Sequence, residues 1–231
     1  MTLRRSTKLV NLQAGEMITT GTLSMSRTAT DKIGAVAGTF LTLGFRPGMV
    51  IYIDGFTTNP VDAWAHITSV EADEITVTGV TLTTEGAENG CLLAEAQSLK
   101  DILAHGVMCI YTGAQPASAD IAPTGTKLLE ISKASLAFGA GFVANSLEFD
   151  APVAGVLGKK DADTWSDAGL ESGTAGWFRL YANDFDTGSN ALCLDGAVGT
   201  SGAQLNLSST AVVQDATTTI DEFELTVPMT G

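Results

Sequence analysis

Two histidines, three cysteines, three tryptophans and a marked excess of acids are the residues of this chain whose types lend themselves to chemistry. Asp184, Asp186 and Asp195 bracket a Gly188-Ser189-Asn190 loop. Oxygen ligands at alternating positions suit a hard cation such as Ca²⁺, but Gly188 falls where an EF-hand needs a liganding side chain. The spacing therefore reads as a solvated acidic loop. Asp161, Asp163 and Asp167 flank Trp165, beside Lys159 and Lys160. This reads as an exposed turn of self-compensating charge, although a tryptophan there also offers a flat apolar face to a sugar ring. Trp177-Phe178 reads as core. His66 alternates with Trp64 and reads as a structural histidine. His105 ends a short helix, where a cation meets the negative end of the helix dipole. Neither histidine has a partner in sequence that makes it a general base. The patterns H-E-x-x-H, C-x-x-C, G-x-S-x-G and the P-loop are absent. Paired carboxylates of glycosidase type are a further reading that so acidic a chain leaves open. The expectation is no catalytic residue, no metal and no cofactor.

Composition sets the frame for these residues. The 231 residues include 26 acids and 12 bases, a formal charge of −14 with a pI near 4.3. Phosphate recognition needs clustered Lys and Arg, so sequence-specific nucleic-acid binding is not expected. Apolar residues make up 45%, enough for a real core, and no apolar run reaches the length that spans a bilayer. Met1-Thr2-Leu3-Arg4-Arg5 has bases but no apolar stretch behind it, so it does not read as a secretory signal. Cys91, Cys109 and Cys193 are widely spaced with apolar neighbours. They read as three reduced, buried thiols in a cytosolically made protein, the alternative being one disulfide and a free thiol.

The elements that must position these residues are mostly strands. Abundant Gly and Thr already lean towards turns and strands. Residues 1–14 read as a basic arm with a short helix starting at Ser6 or Thr7 and ending at Gly15, docking on the body or a neighbouring subunit, the alternative being a frayed terminus. Within 15–95, Met49–Ile53, Ala63–Val70 and Ile75–Thr78 alternate with period two, separated by Arg46-Pro47-Gly48, Asp54-Gly55 and an acidic turn at 71–74. Short strands at this spacing predict a small barrel of SH3 or OB type. Residues 98–106 predict a helix, with Ser98 as N-cap, Asp101 as its capping-box partner and Gly106 as the stop. Val107–Tyr111, Lys127–Ser132, Leu147–Phe149, Gly176–Tyr181, Ala191–Leu194, Leu205–Leu207 and Ile220–Val227 read as strands. In the last, Phe223, Leu225 and Val227 are assigned to the core face. The fold class is all-β: a C-terminal jelly-roll or immunoglobulin-like β-sandwich with one short helix, plus an inserted small β-barrel domain. The domains are an arm (1–14), the barrel (15–95) and the sandwich (96–231).

Gly106-Val107-Met108-Cys109-Ile110-Tyr111-Thr112-Gly113-Ala114-Gln115-Pro116-Ala117-Ser118-Ala119-Asp120 resembles a signature of tailed-bacteriophage virion structural proteins. So do, in the same order, residues 149–156, Gly173-Thr174-Ala175-Gly176-Trp177-Phe178-Arg179, 195–203 and Leu205-Asn206-Leu207. Residues 3–11 resemble the basic arm that precedes the helix in such proteins, and the extra 80 or so residues read as the insertion. Within that insertion, 44–56 resembles the G-F-x-x-G-x-x-I motif of small β-domains of phage heads and tails, departing from it at Asn59-Pro60-Val61. The resemblance implies a non-enzymatic virion component made in the bacterial host cytoplasm, and it carries no catalytic residues.

Three functions follow as expectations. The first is a capsid decoration protein. Its partners would be other copies of itself and the major capsid protein, with Arg4, Arg5, Lys8 and Leu9 as assembly contacts for acidic neighbours. The second is a tail-tube or head–tail connector subunit, with 15–38 as a hairpin reaching the next subunit. The third is a host-surface glycan-binding module using Trp64 or Trp165. No membrane partner is expected.

Overall fold

A computed structural model describes residues 3–5, 19–20, 23–35, 39–58, 63–95, 98–139, 143–182 and 192–226. The chain is all-β, with strands throughout and only short helices. It divides into two compact units, one of Leu12–Ile102 and one of Met1–Asn11 with Leu103–Gly231. Among the described residues no helix is long and apolar enough to cross a membrane.

The first described strand, β1 (Arg4–Arg5), belongs to the second unit. The first unit is a closed six-stranded barrel of β2 (Leu23–Ala29), β3 (Lys32–Gly34), β4 (Val50–Asp54), β5 (Ala63–Val70), β6 (Glu74–Thr78) and β7 (Glu85–Glu95), in the order β2-β3-β6-β5-β4-β7. Alternation explains its core. Ile51 and Ile53, Ala65 and Ile67, and Ile75 and Val77 all point inward, joined by Met25, Ile33 and Leu93. Each such aliphatic side chain contributes roughly 1.5–3 kcal/mol of transfer free energy. Helix α1 (Thr39–Leu43) adds Phe40, whose ring meets Phe45 edge-on at 6.0 Å. The turn into β4 places Pro47 before Gly48 at φ +89°, the arrangement a type II turn requires. Closure leaves no free barrel edge. The hairpin expected near 15–38 is present as β2 and β3, but both strands pair within the barrel, with β7 and β6. Residues 15–18, 21–22 and 36–38 of that stretch lie outside the described residues.

The chain leaves the barrel unit through α2 (Leu99–Leu103). Ser98 Oγ accepts from Asp101 N at 3.0 Å and contacts the Asp101 carboxylate, the capping arrangement read from sequence. The stop differs from expectation. The helix ends at Leu103, and His105, not Gly106, takes the left-handed conformation at φ +59°. Gly106 is needed for a different reason: a Cβ there would lie 2.0 Å from the Tyr181 carbonyl oxygen.

The second unit comprises β8 (Val107–Thr112), β9 (Lys127–Lys133), β10 (Val156–Gly158), β11 (Trp165–Ala168), β12 (Gly173–Tyr181), β13 (Cys193–Gly199), β14 (Leu205–Asn206), β15 (Ala211–Val212), β16 (Thr217–Ile220) and β17 (Glu224–Thr226). Its main sheet runs β1-β13-β12-β8-β9-β11-β16, with β14 on β13 and β15 on β12; β10 and β17 form a separate ribbon. The register places Trp177 opposite Tyr111, Arg179 opposite Cys109 and Tyr181 opposite Val107. The central strands β8, β12 and β13 are buried on both faces. One face carries Val107, Cys109, Tyr111, Trp177 and Tyr181, with the Tyr111 and Trp177 rings stacked at 4.6 Å. From the other, Phe178 meets Phe223 at 5.6 Å, and Phe223 meets Trp165 at 5.8 Å.

The expected strand 220–227 is broken into β16 and β17. Ile220, Phe223 and Leu225 are therefore all buried, which no single alternating strand allows; Val227 lies outside the described residues. Leu147 and Phe149 make isolated bridges rather than a strand.

Candidate functional site

The basic arm comes first, because the expected assembly contacts lie there. Arg4 and Arg5 form β1 and pair antiparallel with Asp195 and Leu194 of their own chain. The Arg4 guanidinium donates from Nη1 to the Pro116 carbonyl, and Arg5 is exposed. Lys8, Leu9 and the helix expected at 6–14 lie outside the described residues.

Asp195 is no solvated loop residue. Its carboxylate is fully buried and accepts two hydrogen bonds from Arg179, Nε to Oδ1 at 2.6 Å and Nη2 to Oδ2 at 2.8 Å. Burial works against the Arg179 charge, but pairing with Asp195 outweighs it and raises its pKa. At Asp195 burial outweighs the pairing and its pKa also rises. The two shifts pull the pair in opposite senses. The bidentate contact decides for an ion pair, because such geometry is formed by charged partners. With both Asp195 oxygens occupied, a Ca²⁺ site built from Asp184, Asp186 and Asp195 loses one of its three ligands. Asp184 and Asp186 lie outside the described residues.

The turn around Trp165 is also a correction. Trp165 is 0% exposed, edge-on to Phe149 at 5.4 Å, and stacks on no external sugar. Asp163 is buried against Lys133 at 2.9 Å. Asp167 accepts from the Glu130 backbone N–H at 2.7 Å. His105 has Glu148 Oε1 3.8 Å from its Nδ1, while Lys160 donates to Glu148 Oε2. Burial opposes the Glu148 charge, but Lys160 outweighs it and holds the carboxyl below its ordinary value. Trp177 and Phe178 are in the core, as read from sequence.

In the barrel, Glu85 is held by Thr57 and Thr58. Their backbone N–H groups donate at 2.9 and 3.1 Å, and both hydroxyls donate as well. Burial raises its pKa, but these donors prevail and bring it to about 2. Arg27 lies over the Phe56 ring at 4.1 Å, donates to Thr58 O at 2.9 Å, and keeps Glu85 at 3.9 Å. A cleft of about 750 Å³ on this unit is lined by Ser24, Ser26, Thr28, Glu71, Asp73 and Glu74. Lys32 at 2.6 Å and the Thr28 hydroxyl at 2.7 Å occupy the Glu74 carboxylate, and the Lys32 hydrogen bond leads in lowering its pKa. Trp64 is 56% exposed, its ring 5.0 Å from that of Tyr52 on β4, with His66 half-buried along the same strand face.

None of the three cysteines forms a disulfide, and all three are buried. Desolvation pushes Cys109 up to about 12 and raises Cys91, so neither is a ready nucleophile. What these arrangements do is hold segments together: carboxylates in both units bind the hydroxyls, guanidinium and ammonium groups of their own chain. Arg179 was missed in the sequence although a signal existed, since a lone arginine inside Trp177-Phe178-Arg179-Leu180-Tyr181 demands a buried partner. Among the described residues no group of three His, Cys, Asp or Glu side chains is placed to hold a metal ion. Compared with known protein families, with curated proteins and with solved structures, the chain matches none.

Proposed function

We propose that this chain is a non-enzymatic structural component of a tailed-phage virion, a decoration protein seated on the outside of the capsid in many symmetric copies. One observation carries the reading. Three of the segments that resemble the phage signature build strands of the second unit: 106–112 is β8 with its entry, 173–179 opens β12, and 195–206 runs through β13 and β14, whereas 149–156 is mostly exposed. Gly106 and Gly176 in these segments are required by close backbone approach, since a Cβ on Gly176 would lie 2.1 Å from Gly113 O. The likeness thus resides in residues that build a scaffold, and a scaffold is what a virion subunit supplies. Support also comes from the −14 charge, which keeps particles dispersed, and from exposed Leu41, Leu136, Val153 and Val213 as packing surface.

Locating the protein by cryo-microscopy of particles that carry it tests the reading. Density on the head supports decoration. Density along the tail supports the tube or connector alternative. Absence from particles overturns both. Arg5, Lys8 and Leu9 remain the proposed assembly contacts, and deleting residues 1–8 is expected to reduce incorporation of a folded chain into particles. A second reading, a saccharide-binding module, is favoured by the exposed Trp64 beside Tyr52. A glycan array without hits on folded protein removes it.

A further inference from the structure

Lys133 ends β9 directly opposite Trp165 on β11. Residues opposite one another on an antiparallel pair point to the same face. Trp165 is fully buried, so the lysine leaves the sheet on the core side, and only 34% of its side chain is exposed. Its Nζ sits 2.9 Å from Asp163 Oδ1, on a carboxylate that is 5% exposed. The other oxygen, Asp163 Oδ2, is buried with no hydrogen-bond partner. A buried ion pair is stable when both carboxylate oxygens are satisfied, and this one leaves an acceptor orphaned.

Backbone bonds fix the surroundings. Ala134 N donates to Thr164 O at 2.8 Å, Asp163 N to Lys160 O at 3.0 Å, and Lys160 N to Glu148 O at 3.0 Å. The Phe149 ring packs on Trp165 beside them. An amine held against a buried carboxyl group under aromatic cover forms the setting for an amide condensation. Reacting atoms held about 3–3.5 Å apart gain a large effective concentration.

We infer that Lys133 and Asp163 become joined by a side-chain amide, a self-made crosslink between β9 and the segment leading into β11. The atoms balance without any co-reactant. Lys133 Nζ, once deprotonated, attacks Asp163 Cγ and the C–N bond forms. The bond from Cγ to Oδ2 breaks, and that oxygen leaves as water with the two protons lost from the ammonium. Ammonium and carboxylate become a neutral amide plus water, and the orphaned oxygen is the atom expelled. The link closes the chain between residues 133 and 163, constraining the unfolded state as a disulfide does. It stands independently of the virion reading.

Intact-mass spectrometry of the purified full chain, denatured and reduced, tests the inference. The expected mass is that of the sequence less one water, and a tryptic digest should contain a branched peptide joining Lys133 to Asp163, uncut after Lys133. Full sequence mass after prolonged incubation at neutral pH overturns it. So does a lost water that maps to a cyclised aspartate such as Asp54-Gly55. Lys133→Arg keeps the charge pair but should return the full mass; if it still lacks a water, the bond is elsewhere and the inference fails.

Discussion

The barrel buries Arg27 and the sheet unit buries Arg179, each with its side chain fully covered and each near one carboxylate. Their electrostatics are opposite. Arg179 grips Asp195 through two bonds, and its pKa is raised. Arg27 has Glu85 at 3.9 Å, with Phe56 beneath it, and burial lowers its pKa. Glu85 does not depend on Arg27, because Thr57 and Thr58 supply its donors. Asp195 has Arg179 on both oxygens. Burial alone therefore does not set what a buried charge contributes; the number of alternative donors around its partner does.

The largest expected effect is at Asp195. Asp195→Ala leaves Arg179 charged and unpaired, at a cost of about 3–5 kcal/mol to the sheet unit. Urea unfolding should show the loss, and the double variant Arg179→Met/Asp195→Leu should recover most of it. Thiol labelling separates the units: Cys91 reports on the barrel, while Cys109 and Cys193 report on the sheet. Asp195→Ala should advance release of the latter two alone. If Cys91 moves equally, the units do not unfold separately.

A smaller effect is expected at Glu85. Its folded pKa of about 2 lies below its ordinary 4.5. A depressed carboxyl stabilises the fold above the unfolded pKa, and that stabilisation is lost as pH falls through the folded one. Barrel stability should therefore decline from pH 4.5 towards 2, followed by urea midpoints read at Cys91. Glu85→Gln should flatten that slope. A variant with the wild-type slope assigns the acid loss to other groups.

Arg27→Met should change barrel stability by less than about 1 kcal/mol, since an apolar replacement of a buried charge is often neutral when the partner is otherwise satisfied. Equal losses for Arg27→Met and Arg179→Met would break the comparison. The smallest effect is expected for Trp64→Ala, within about 0.5 kcal/mol by thermal unfolding, as for most exposed positions. Trp165→Ala, by contrast, should cost about 3–5 kcal/mol.

Strands that partition cleanly between water and core were legible. Ala63–Val70 matches the expected span, Val50–Asp54 is shifted by one residue from its expected span, and Glu74–Thr78 begins one residue earlier than expected. β7 was not legible, because its first half, Glu85-Gly86-Ala87-Glu88-Asn89-Gly90, is polar and glycine-rich and is held in the sheet by its neighbour, with irregular register against β2. β1 was not legible either: two arginines carry no period, and only the edge of β13 makes them a strand. Around Trp165 the sequence misled, since acids and lysines beside a tryptophan look like surface. Phe149 and Phe223 cover that tryptophan from positions 16 residues before it and 58 after it, arithmetic that no local window contains.

By itself the sequence determined the all-β class, the barrel strands with clean alternation, the cap of α2 and the apolar settings of the three cysteines. These are local consequences of solvent partition and backbone preference, written residue by residue. Tertiary structure alone decided which charges meet. Arg179 reaches Asp195 because β12 and β13 pair in a register that sets them opposite, and Lys133 reaches Asp163 because β9 meets β11 at Trp165. A shift of one residue in either pairing would turn those side chains to the other face, so the partners of a buried charge are fixed by register and by the water excluded around it.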